Sequence, residues 1–185
     1  EVTNEAFGQY IANIIMHEIL NQQESTLVLF NSKEVLRYVY ETISETMNQA
    51  GIELFALGQN TSLSKIKKRY EANDNQFVFL LNPYLDDSFL ADFHFKRVIL
   101  TRLPFHNPSA PLTLAYQKYL EKLDIDAFQR EALPTAGIRL ARCLDLVANQ
   151  PDAKLLILDK RLISTTYGKK LQKILPKPWT YEAKT

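Results

Sequence analysis

Two kinds of apolar spacing alternate along this chain. Thr26–Phe30 (TLVLF), Phe77–Leu81 (FVFLL), Arg97–Arg102 (RVILTR) and Lys154–Leu158 (KLLIL) are short apolar runs, and Ile52–Leu57 is a weaker one. Runs of this length read as strands, and KLLIL, without alternation, is expected to be covered on both faces. Between them the period becomes helical. Phe7, Ile11, Ile14 and Ile15 line one side of Asn4 to Asn21, and Val35, Val39, Ile43 and Met47 form a stripe ending near Gly51. Asn31 with Glu34 three residues later signals the start of that second helix. Thr61 or Ser62 can cap a third, with Leu63, Ile66 and Tyr70 inward and Lys65, Lys67, Lys68 and Arg69 outward.

Pro108 and Pro111 bracket the start of another helix, with Leu112, Ala115, Tyr119 and Leu123 on one face. Pro134 opens the next, along which Ile138, Ala141, Leu144 and Ala148 recur at helical spacing, with Leu140 and Val147 beside them, until a turn at Asn149–Asp152. Thr165 or Thr166 can cap a final helix whose inner side is Leu171, Ile174 and Leu175. The order is α-β-α-β-α-β-loop-β-α-α-β-α. Strands alternating with helices predict an α/β fold of three layers, a mostly parallel sheet with helices on both faces. The connection from Asn82 to Lys96, rich in Asp and aromatics, is long for a compact domain, and such loops are usually functional.

Composition narrows the function more than the fold. The 185 residues show no repeat or linker, so a single domain over 1–185 is expected, and with a start at Glu rather than Met the sequence is expected to be a fragment of a longer chain. A net charge of +1 gives no global field, so any nucleic-acid surface must be local. Cys143, the one cysteine, excludes an intrachain disulfide and reads as a small packed hydrophobe. No secretory signal leads the chain and no apolar run reaches the ~18 residues of a membrane span, so no membrane partner and a cytoplasmic location are expected. The five glycines make neither G-x-x-x-x-G-K-[ST] nor G-x-G-x-x-G, which argues against a self-contained nucleotide site. His17, His94 and His106 have no second ligand at metal spacing, so no metal site is expected.

Four ordered stretches carry a family resemblance. LVLFNSKEVLRYVYE (Leu27–Glu41) is similar to motif IV, L-V-L-F-T-S and a helix, of the DinG-type and XPD-like superfamily 2 DNA helicases. GQNTSLSKIKKRYEANDNQFVFLL parallels that family's Gln-containing loop, basic helix and strand, and RVILTRLPFHNPSAP resembles its V-I-I-x-K-L-P-F-x-x-P. ILDKRLISTTYGKKLQKILPKPW resembles its C-terminal end through Asp159, Lys160, Arg161, Tyr167, Gly168, Leu175, Pro176 and Trp179. The resemblance implies a RecA-like helicase C-terminal domain, a P-loop NTPase fold without its own phosphate loop. It implies ATP and Mg2+ held mainly by a first RecA-like domain of the same chain, and single-stranded or forked DNA as partner. An exonuclease domain in the parent chain is a further partner it allows.

On that resemblance Asn31 and Ser32 touch the DNA backbone, with Lys65, Lys68 and Arg102 as further nucleic-acid candidates. Motif V, S-F-W-E-G-x-D, falls on Pro83 to Phe89 and makes Asp86 and Ser88 nucleotide-binding candidates. Motif VI, R-L-x-Q-x-x-G-R-x-x-R, falls on Arg139 to Asn149; its Gly-Arg pair has become Asp145-Leu146 and its last Arg Asn149. Losing an arginine from the γ-phosphate costs on the order of 10³–10⁵ in rate. Arg139 and Arg142 are therefore the catalytic candidates, Arg142 standing one turn before Leu146. Two functions follow. Either the chain is the second motor domain of an ATP-dependent DNA helicase, or it is a degenerate domain that clamps nucleic acid or scaffolds a neighbour.

Overall fold

A computed structural model of the protein describes residues 4–72, 77–86, 88–177 and 180. Helix α1 (Asn4–Asn21) is followed by β1 (Thr26–Phe30), α2 (Lys33–Gln49), β2 (Leu54–Ala56), α3 (Leu63–Ala72) and β3 (Phe77–Leu81). Two 3-10 turns, Asn82–Asp86 and Ser88–Leu90, occupy the long loop before β4 (Arg97–Leu100). Then come α4 (Pro111–Glu121), a π-helical turn (Phe128–Ala132) running straight into α5 (Leu133–Asp145), β5 (Lys154–Ile157), α6 (Arg161–Ser164) and α7 (Thr166–Leu171). The strands form one five-stranded parallel sheet in the order β2-β3-β1-β4-β5.

Alternation of side chains across the sheet divides the core in two. Leu27 and Leu29 of β1 face Ile66, Leu140, Cys143, Leu162 and Leu171 from α3, α5, α6 and α7. Val28 and Phe30 face Ile11, Ile15 and Ile19 of α1 and Val39, Ile43 and Met47 of α2. Burying each such side chain contributes roughly 1.5–3 kcal/mol. The three-layer parallel α/β expectation therefore holds. Helix α2 ends as its sequence suggests: Gly51 takes φ +71, and the Ile52 N–H closes back on the Met47 carbonyl at 2.9 Å.

Several expectations are corrected. Of the apolar positions expected along α5, Leu140 is buried but Ile138, Ala141 and Leu144 are not, and Val147 and Ala148 lie beyond its end. Leu133, Ala136, Gly137, Arg139, Leu140 and Cys143 are buried, while Ile138 is 59% exposed. A buried arginine and two small residues hid the true face. On α4, Leu112 and Tyr119 are exposed and Leu120 alone is buried, and Leu123, past the helix end, is exposed too, because periodicity finds an apolar face but not its cover. Strand β5 is half-buried rather than covered on both faces, since it stands at the sheet's edge beside β4. Strand β4 stops at Leu100, before Arg102. Ser32, not Asn31, caps α2, its Oγ accepting the Val35 N–H at 3.4 Å. The final helix does start as expected, Thr165 capping α7 by accepting the Gly168 N–H at 3.0 Å, but a further short helix, α6, precedes it. Trp179 lies outside the described residues.

Candidate nucleic-acid interface

A parallel sheet sends every strand's C-terminal end to one side, and there the chain must turn through polar residues. The connection from β1 leads to β2 on one flank, and that from β4 leads to β5 on the other. The crevice between β1 and β4 is thus a topological switch point, where open α/β sheets bind ligands. Asn31 and Ser32 leave β1 there, Asn82 leaves β3, and Thr101 to Phe105 leave β4. Thr101 ties the β1 and β4 ends together, its hydroxyl and N–H both reaching the Leu29 carbonyl at 2.8 and 3.1 Å. The exposed Asn31 donates from Nδ2 to the Leu103 carbonyl at 3.3 Å, and Asn82 donates from Nδ2 to Asn31 Oδ1. The Arg102 guanidinium lies over the Phe7 ring of α1, 4.1 Å from its centroid, so it is held at the rim by a cation–π contact.

Behind this rim the Leu103–His106 segment is pinned from several sides. Asp159, just past β5 and 6% exposed at its side chain, accepts the Leu103 N–H at 2.9 Å. Arg161 grips the same carboxylate through Nε at 2.9 Å and Nη2 at 2.6 Å. Burial pushes the Asp159 carboxyl up, but the bonds from Arg161 and Leu103 and the guanidinium's charge outweigh it and hold the group below its ordinary value. Phe105 packs on Phe128 and Tyr167 with ring centroids 5.8 and 5.7 Å away. The ion pair at the end of β5 thus doubles as a strut to the loop after β4.

The catalytic candidates reach the loops after β4 and β3 from α5. Arg139 is 2% exposed, donates to the Pro104 carbonyl at 3.3 Å and lies 3.3 Å from His106 Nδ1. Arg142 is exposed and donates to the Leu85 carbonyl at 2.7 Å, linking α5 to the loop after β3. Leu146, where the resemblance places an arginine, is 6% exposed within the core. Asp86 ends one 3-10 turn and Ser88 begins the next; their side chains, like all of Asp87, lie outside the described residues. Lys65 and Lys68 are exposed on α3, which leaves β2 two strands, or about 10 Å, from β1. The structure thus brings together Asn31, Ser32 and Arg102 and leaves the lysines to one side. Phe89 packs on Phe93 at 5.1 Å beside the core. Burial pushes the Cys143 thiol up to about 12, as suits a packed hydrophobe.

Asn82 was not singled out from the sequence, although a signal existed. Phe30 and Leu81 pair in register, so the residues that follow them, Asn31 and Asn82, fall side by side. An apolar run ending in Asn occurs at both places. Among the described residues no group of three His, Cys, Asp or Glu side chains could hold a metal, and no helix is long and apolar enough to cross a membrane.

Comparison with known proteins bears on this geometry. Residues 15–178 match the family model described as the helicase C-terminal domain. The Bacillus subtilis protein named 3'-5' exonuclease DinG is 27% identical over 173 residues, 92% of this chain and 19% of that protein. The Photobacterium profundum protein named ATP-dependent DNA helicase DinG is 25% identical over 164 residues, 86% of this chain and 24% of that protein. The chain therefore spans about a fifth to a quarter of the length of these relatives. A solved XPD helicase structure shares the fold, with a TM-score of 0.60 at 16% identity over 93% of this chain and 31% of that one.

Proposed function

The chain belongs to the helicase C-terminal domain family, and on that premise we propose that it is the second motor domain of a DinG-like ATP-dependent DNA helicase. The observation that supports this most is the polar rim at the switch point, where Asn31, Ser32 and Arg102 stand on the ends of two adjacent strands. In this reading the rim grips the backbone of one DNA strand, free or at a fork. The first RecA-like domain of the same longer chain holds ATP and Mg2+. Helix α5 then closes over the nucleotide with Arg142, or Arg139, as the positive group, and Asp86 and Ser88 are the further nucleotide-binding candidates.

A second reading is favoured by a specific observation. Leu146 is buried where an arginine is wanted, and the Arg139 guanidinium is engaged beneath Pro104. A domain that clamps DNA without hydrolysis, or scaffolds an exonuclease domain, fits those facts. The test is ATP hydrolysis by the full-length protein with single-stranded DNA, before and after Arg142→Ala. The motor reading expects turnover that falls on the order of 10³-fold in the variant. Absent turnover with retained DNA binding sinks it in favour of the clamp, and absent DNA binding sinks both. Turnover untouched by Arg142→Ala removes Arg142 from the mechanism.

A further inference from the structure

The amides of Asn31 and Asn82 form a relay whose polarity is fixed from one end. The Leu103 carbonyl can only accept, so Asn31 must turn Nδ2 toward it, at 3.3 Å. That leaves Asn31 Oδ1 facing Asn82, which must in turn present its own Nδ2. Asn82 is 1% exposed, and its Oδ1 is buried with no hydrogen-bond partner among the described residues. Leaving a buried carbonyl unpaired is unfavourable, and a polar group kept at that cost calls for a reason. The reason lies at the other end of the relay. With one N–H given to Leu103 and Oδ1 occupied by Asn82, the exposed Asn31 keeps a second N–H uncommitted among the described contacts. Two bonds from neighbouring strands fix the plane of that amide, so the spare donor is held rather than left to rotate. The family pattern has Thr at this position; a hydroxyl could not accept from Asn82, donate to Leu103 and still offer a donor.

We propose that Asn82 is a positioning residue, which locks the Asn31 amide so that its remaining N–H meets a phosphodiester oxygen of single-stranded DNA. This rests on the reading that the rim grips DNA, and it names the contact and the group that holds it. An amide–phosphate bond displaces no counterion, whereas a cation's contact does. The relay therefore contributes a factor in affinity that salt does not change.

A double-mutant cycle in the full-length protein tests this, using Asn31→Ala, Asn82→Leu and the pair, with affinity for an oligothymidine strand measured across a salt series. Each single variant is expected to weaken binding about tenfold at every salt concentration, leaving the slope of log K against log salt unchanged. The double variant should be no weaker than either single. Asn31→Ala lies at an exposed position, so it reports even if Asn82→Leu folds poorly. Wild-type binding by Asn31→Ala, or additive losses in the pair, overturns the relay while leaving the grip intact. A wild-type slope of zero overturns the grip itself, and the relay with it.

Discussion

The two ends of the sheet are both polar, and they spend their polar groups in opposite ways. At the N-terminal end, Arg97 is 0% exposed and its guanidinium reaches the Gln22 carbonyl, Thr26 Oγ1, Gln22 Oε1 and Glu24 Oε2 at 3.2–3.3 Å. Glu18 approaches it at 3.7 Å. That cluster is turned inward and stitches α1 to β1 and β4. At the C-terminal end Asn31 is exposed, Arg102 rests on a ring face, and an asparagine amide retains a donor. Charge density alone would rank Arg97 first. The buried Arg97 Nε also lacks a hydrogen-bond partner, so what sets the C-terminal end apart is donor capacity left exposed to solvent, as a binding surface would need.

The largest expected effect breaks the inward end. Arg97→Met strands Glu18 and Glu24, whose side chains are 16% and 32% exposed, and should cost about 3 kcal/mol in urea denaturation. Affinity of the folded variant for single-stranded DNA should not change. Next is Gly168→Ala behind the other end. A Cβ there would lie 2.2 Å from the Arg161 carbonyl oxygen and 2.4 Å from that of Leu162, so α7 must move off α6. About 2 kcal/mol of stability should be lost.

Asp159→Asn sharpens the comparison through pH. The folded carboxyl is held below its ordinary value of 3.8, so it contributes stability that is present above that value and lost as pH falls through the depressed one. Thermal melts should show the variant less stable at neutral pH, with the gap to wild type closing below about pH 4. Arg102→Ala should barely move stability, by about 0.5–1 kcal/mol for the contact with Phe7. It should make the salt slope of DNA binding shallower by about one unit, which a fluorescence anisotropy titration reads directly.

These contrasts also explain what was legible in the sequence. β1 and the strands on either side of it, β3 and β4, announce themselves because nearly every residue in them is buried. The edge strand β5 carries the same apolar run, but position in the sheet decides its exposure, and a run of letters does not record position. The face of α5 was obscured by Arg139, a charged residue buried for its bond to Pro104. Asn31 and Ser32 were reachable as candidates through family resemblance, and Arg102 through its charge. The partners that hold them were not. Asn82 is 51 positions from Asn31, and Asp159 is 56 from Leu103, and only the register of the sheet joins them.

The claim that one end of this sheet is the DNA grip is tested most directly by hydrogen–deuterium exchange of the full-length protein with and without single-stranded DNA. Protection should appear over residues 31–36 and 101–105, with none gained over residues 22–26 or at Arg97. Protection confined to the Arg97 end, or absent from both ends under saturating DNA, would contradict the account.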